Sequence, residues 1–116
     1  PVVSQGQNLI EGFCDDATKV ISNIPLIMFG DHTRNVKYVD FPFVIGADGT
    51  KFHKCILVNE KYVYYWMIVG AEQLNDRGYA RHYSLLKKKF IPLPPLAEQT
   101  RIVNALNSVL KSIEGV

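Results

Sequence analysis

The stretch from Ile91 to Leu110, IPLPPLAEQTRIVNALNSVL, limits this chain more than any other, because a stiff proline lead runs straight into an amphipathic helix. Pro92, Pro94 and Pro95 fix their own φ and push the preceding residues toward extended backbone, so the chain arrives as a short polyproline-type strut. No proline or glycine follows until Gly115. The pattern predicts a helix over residues 96–115, with Glu98 in or near the first turn where the macrodipole favours an acid. Ile102, Leu106, Val109 and Ile113 fall four, three and four apart, which makes a seam. Such a helix spans roughly 28 Å. That is long for a small body, so part of it is expected to project or to pack on a partner.

A chain of 116 residues is one domain, able to bury somewhat over about 60% of its unfolded surface. Cys14 and Cys55 lie far apart, with no CxxC and no histidine at ligand spacing. That argues against a zinc site and a disulfide framework and reads them as reduced core or strand residues. No apolar run of about 18 residues occurs, and the first residues have neither a basic nor an apolar leader pattern, so the expectation is a cytoplasmic protein without a membrane segment. The chain opens at Pro1 and runs at once into PVVSQG. That reads as the middle of a domain, with further residues expected upstream.

A walk along the sequence supports a mixed α/β domain. Residues 1–4 suit a strand remnant. Residues 9–21 are ambiguous: Leu9, Ile10, Phe13, Cys14, Ala17, Val20 and Ile21 follow helical spacing, whereas Gly12 and the β-branched end weaken a helix. Ile24 to Phe29 is a continuous apolar run ended by Gly30 and Asp31, the mark of a buried strand reaching a turn. There Asp31 suits a turn residue bonding its own backbone. Residues 36–38 and 41–45 read as further strands, Asp48-Gly49 as a turn, and residues 52–58 as a returning strand. Asn59 suits the N-cap of a helix from Glu60 to about Asn75, with Tyr62, Tyr65, Trp66 and Ile68 or Val69 as a core stripe. Residues 78–84 read as strand or extended loop, Ser84 as the cap of a short turn through Lys87, and residues 90–93 as a last strand.

The net charge of +2 says little, but its distribution says more. Up to Thr50 the acids Glu11, Asp15, Asp16, Asp31, Asp40 and Asp48 outnumber Lys19, Arg34 and Lys37. Between Arg77 and Lys89 the chain carries Arg77, Arg81, Lys87, Lys88 and Lys89 with no acid, and Tyr79, His82 and Tyr83 are interleaved. Cations mixed with hydrogen-bonding rings suit a phosphate-lined surface, where counterion release favours binding and planar groups reach base edges. Composition alone fits a solvated charged face equally well.

Catalytic patterns are hard to find. A metal-dependent nuclease needs two carboxylates and a lysine converging on a cation. Asp48 fits the first carboxylate, but the adjacent Glu60 and Lys61 would point to opposite faces of a strand. Asp31 and His32 fail for the same reason. A methyltransferase needs a glycine-rich cofactor loop and an Asn or Asp before Pro-Pro, and here leucine precedes Pro94-Pro95. Gly46 and Gly49 make no phosphate loop.

PLPPLAEQ running into RIV and a leucine-spaced helix resembles the segment that follows a target recognition domain in the specificity subunits of type I restriction-modification systems. FGDHTR at residues 29–34, DFPFVIGADG at 40–49 and GYARHYSLLKK at 78–88 resemble further signatures of that family, in the family's order, over about two thirds of the chain. The elements read along the sequence make an α/β (α+β) fold: a mixed twisted β-sheet with a packed helix, followed by a long C-terminal amphipathic helix. The resemblance divides the chain into a recognition domain (1–90), a proline connector (91–95) and a spacer or dimerisation helix (96–115).

The resemblance further implies a non-catalytic module that reads one half of a split double-stranded DNA target. Its helix would meet a second spacer helix, or a second copy of the chain, through Leu96, Ile102, Leu106, Val109, Leu110 and Ile113. Methylation and cleavage would belong to methyltransferase (modification) subunits and, through them, a restriction subunit. S-adenosylmethionine, ATP and magnesium would be theirs, leaving this chain without a cofactor. Carried onto these residues, the motifs place Thr33 and Arg34, Lys51, and Tyr79, Arg81 and His82 near DNA, joined by Arg77, Lys87 and Lys88 of the basic stretch. Asp31 and Phe43 read as scaffold. The competing expectation is a protein-interaction module that uses the helix seam and binds no DNA itself.

Overall fold

The computed structural model describes residues 1–46, 49–74 and 81–114. Its centre is β2 (Leu26–Gly30), every residue of which is buried. β2 lies between two antiparallel neighbours, β3 (Val36–Val39) and β5 (Thr50–His53), with Phe29 opposite Val36 and Lys51. Side chains alternate across a strand, so β2 serves two cores at once. Ile27 and Phe29 face Met67, Ala71, Leu74 and Leu86, while Leu26 and Met28 face Val3, Val39 and Phe43. Burial on both faces is why the run from Ile24 to Phe29 is apolar without alternation.

Parallel pairing occurs in a separate two-stranded sheet, β1 (Val2–Val3) with β4 (Val44–Ile45). The α/β architecture with a long terminal helix stands, with its parallel and antiparallel pairings held in different sheets. β5 is shorter than the strand expected over 52–58. Continuing past His53 would bring Cys55 opposite Pro25, which has no N–H to give the ladder.

Residues 9–21 are not helical apart from one 3₁₀ turn at Ala17–Lys19. Their backbone groups find partners elsewhere: Val2 N donates to Gly12 O at 2.8 Å, Glu11 N to Val2 O at 2.8 Å, and Ile21 N to Phe43 O at 2.7 Å. Asp16 accepts from the Thr18 N–H at 3.0 Å and thereby caps the 3₁₀ turn. Buried Lys37 ties down the chain leading into the segment, donating to Ser4 O at 2.6 Å and to Asn8 O, and reaches Glu11 Oε1 at 3.4 Å. Cys14 is exposed and Cys55 half-buried, so the first is not a core residue.

α1 (Glu60–Glu72) starts where the sequence puts it, with Asn59 Oδ1 accepting from Tyr62 N at 3.1 Å. Its buried residues are Tyr62, Met67, Gly70 and Ala71. Tyr65, Trp66 and Ile68 are half-buried and Val69 is exposed, so the working stripe is rotated from the expected one. α2 (Tyr83–Leu86) follows, containing Ser84 rather than being capped by it. Residues 90–93 form no strand; Phe90 is 97% exposed. α3 (Leu96–Glu114) completes the chain and packs on α1.

The proline strut is clamped from both sides. Tyr62 Oη donates to Pro92 O at 2.6 Å and Gln99 Nε2 to Pro94 O at 2.8 Å. Gln99 Oε1 in turn accepts from Asn59 N at 3.0 Å. Prolines give no hydrogen bond but their carbonyls accept them, which makes this route specific.

Candidate nucleic-acid interface

Where β2 ends, Asp31 organises the surface. Its backbone N donates to Gly49 O at 2.8 Å and its carbonyl accepts from His82 N at 2.8 Å. Its side chain, 4% exposed, divides its two oxygens between two tasks. Oδ1 accepts from His82 N at 2.9 Å and Tyr83 N at 2.8 Å, satisfying donors at the start of α2. Oδ2 accepts from Arg81 Nη1 at 2.8 Å. Burial by itself would raise this carboxyl, but the Tyr83 N–H, the Arg81 guanidinium and the His82 N–H hold it below its ordinary value. Asp31 therefore bonds residues fifty positions away rather than its own turn.

Two of the expected contacts come together at this carboxylate, Arg81 directly and Lys51 by way of the Tyr83 ring. The Arg81 side chain keeps 64% of its surface exposed while its guanidinium is anchored. Lys51 enters from β5, its Nζ 5.9 Å from the centre of the Tyr83 ring. Tyr83 itself is wedged, its hydroxyl 2.9 Å from His53 Nε2 and its ring 6.1 Å from that of Phe29. Burial holds the His53 ring below the usual imidazole value. Lys87, Lys88 and Lys89 follow α2 directly and are exposed.

Other members are tied into the scaffold. His82 is 0% exposed, its Nδ1 3.0 Å from Asp31 O, so it supports the surface without forming part of it. Thr33 is exposed but donates its hydroxyl to Gln5 O at 2.6 Å. Arg34, at φ 63, donates Nη1 to Leu74 O at 2.9 Å, just past the carboxyl end of α1 where a cation is favoured. Arg77 and Tyr79, together with the Asp48 turn position, lie outside the described residues.

The α3 seam is largely uncovered. Val103 is 5% exposed and Gln99 is buried, and these form the face turned toward α1. Ile102 is half-buried, whereas Leu96, Leu106, Val109, Leu110 and Ile113 are exposed, Ile113 at 65%. Among the described residues no group of three or more His, Cys, Asp or Glu side chains is placed to hold a metal ion. Nor is any described helix long and apolar enough to cross a membrane. An anchored guanidinium with Lys51 beside the Tyr83 ring is suited to gripping an anionic, edge-patterned ligand.

Comparison with known families decides the class: residues 1–115 match the model of the type I restriction modification DNA specificity domain. The chain belongs to that family. A curated relative, the type I restriction enzyme EcoR124I/EcoR124II specificity subunit of Escherichia coli, is 30% identical over 92% of this chain and 30% of its own length. The specificity domain thus spans under a third of that relative. No solved structure matches this chain. Membership is in a family named for DNA specificity and not for catalysis, in keeping with the non-enzymatic reading of the sequence.

Asp31 is the residue whose importance the sequence concealed. FGDHTR and GYARHY are each visible as motifs, but nothing in their spacing says that the acid of the first holds the arginine of the second.

Proposed function

We propose that this specificity domain reads one half of a bipartite double-stranded DNA target and that α3 sets its distance from a second reader. The observation that carries the reading is the family match over residues 1–115, met by the exposed Arg81 guanidinium held on Asp31. Arg81, Lys51, Lys87 and Lys88 are the groups proposed to face the duplex, with Thr33 and Arg34 at the edge and Arg77 and Tyr79 completing the set. His82 acts from beneath. The recognition unit is residues 1–90, the connector 91–95 and the spacer 96–115.

Methyltransferase subunits, and a restriction subunit through them, are the proposed partners. The relative's name, a specificity subunit of a type I restriction enzyme, supports this. S-adenosylmethionine, ATP and magnesium would serve those subunits. A cytoplasmic location follows from such a role.

Duplex binding at low salt is expected to weaken steeply as salt rises, with a log–log slope of about 0.9 for each phosphate contact. Replacing Lys87 and Lys88 by alanine is expected to flatten that slope by about 0.9 for each phosphate no longer neutralised and to weaken all sequences alike. Titration of a labelled duplex across a salt series measures both. No binding at low salt would reject the reading. It would favour instead a protein-interaction module, for which the exposed Leu106, Val109, Leu110 and Ile113 are the supporting observation.

A further inference from the structure

We infer that Asp31 is a positioning residue for base reading: its buried carboxylate holds the exposed Arg81 guanidinium in one orientation toward the duplex. The inference rests on the DNA-reading function proposed above and adds to it the device by which one arginine becomes sequence-selective.

An arginine on a flexible stem finds phosphate anywhere along a duplex, and such contacts carry no sequence information. Reading a guanine edge needs the planar fork presented in a fixed plane, and a second partner for the same guanidinium supplies that. Arg81 has such a partner in Asp31 Oδ2 at 2.8 Å, with most of its side chain still exposed. Nη1 takes the carboxylate, which leaves the opposite edge of the fork for a ligand.

Asp31 is itself immobilised in three ways. It follows the fully buried β2. Its backbone is bonded to Gly49 and His82. Its other carboxylate oxygen is bound by the His82 and Tyr83 N–H groups. Lys51, over the Tyr83 ring, adds a second cation nearby without competing for the carboxylate.

The division of labour between the two oxygens makes the proposal separable from plain stability. Asp31→Asn keeps an oxygen to accept from His82 N and Tyr83 N, since asparagine caps as well as aspartate. It presents an NH₂ to Arg81, which cannot accept. The capping role survives and the arginine is released.

The experiment selects bound duplexes from a randomised library with the full native chain, with Asp31→Asn, with Arg81→Ala and with the double variant, and reads base preference position by position. Thermal unfolding is followed in parallel. Arg81→Ala is expected to flatten preference at one position by about 5- to 100-fold. Asp31→Asn is expected to flatten the same position by about 3- to 10-fold at near-parental salt dependence, and the double variant to match Arg81→Ala alone.

If Arg81→Ala flattens a position and Asp31→Asn does not, the positioning role is overturned while DNA reading stands. Preference unchanged in every variant removes both residues from base reading, again with DNA reading intact. A parent chain that selects no sequence takes down the inference and the underlying function together. Should Asp31→Asn fail to fold, Arg81→Lys serves in its place: lysine keeps the charge but cannot hold a carboxylate and a guanine edge through one rigid fork. Flattened preference in that variant supports the proposal, and parental preference overturns it.

Discussion

Among the described residues Asp31 and His53 make stability depend on pH in different windows, and the exposed Asp16 and Glu98, held low by Thr18 and Arg101, add to the acid one. Asp31 is held below its ordinary carboxylate value in the folded state. Its contribution is therefore present above about pH 3.9, the unfolded value, and is lost as the pH falls from there through the lowered folded value. His53 is also lowered, chiefly by burial. The unfolded chain then binds the extra proton first, so stability falls as the pH drops below about 6.5 toward the folded value. Urea midpoints measured from pH 8 to pH 3 should show two successive losses. His53→Gln, which keeps a polar group for the Tyr83 hydroxyl, is expected to remove the upper loss and leave the lower. Asp31→Asn should leave the upper loss and shrink the lower to what Asp16 and Glu98 contribute, and a parental profile in either variant would assign that loss to another group.

At the scale of elements, what the sequence disclosed was whatever is set locally. The Asn59 cap, the helix after it, the apolar run of β2 and the helix after Pro95 each depend on neighbours within a turn or on a simple period, and each appears near its expected place. Residues 9–21 misled because helical spacing there competes with partners distant in sequence, Val2 and Phe43, that take its backbone groups. The Asp31 and Arg81 pairing was hidden for the same reason.

Gln99 shows how much hangs on such distant partners. It reads as a polar residue beside a leucine seam, yet it is buried and bridges Asn59 and Pro94. Gln99→Leu keeps the bulk but strands an N–H and a carbonyl, a loss of about 1–3 kcal/mol for each group left unsatisfied. A fall of that order in chemical denaturation, with the helix content of the native state unchanged, is the expected result.

For the molecule as a whole, α3 decides the outline. A compact chain of 116 residues has a radius of gyration of about 13 Å, whereas this one has 14.9 Å. The excess agrees with a helix of about 28 Å that touches its own domain along one face, through Gln99, Val103 and Asn107, and leaves the other largely exposed. Leucine, valine and isoleucine side chains gain about 1.5–3 kcal/mol each on full burial. Leu106, Val109, Leu110 and Ile113 thus form a reservoir that the folded monomer draws on only in part, least at Val109 and Ile113. A seam of little more than two heptads is too short to hold alone in water, so any association through it leans on the domain that fixes its first turns. Leu106→Asp places a charge in the middle of that face, beside Asn107, which accepts from Tyr65 of α1. The unfolding midpoint is expected to stay within about 0.5 kcal/mol of the parent, as for an exposed site, while association with a second copy or with a partner's helix is abolished. Sedimentation velocity over a concentration series, run beside the denaturation curve, separates the two effects. An unchanged sedimentation profile would reject α3 as the interface, and a large fall in stability would mean that the seam belongs to the core.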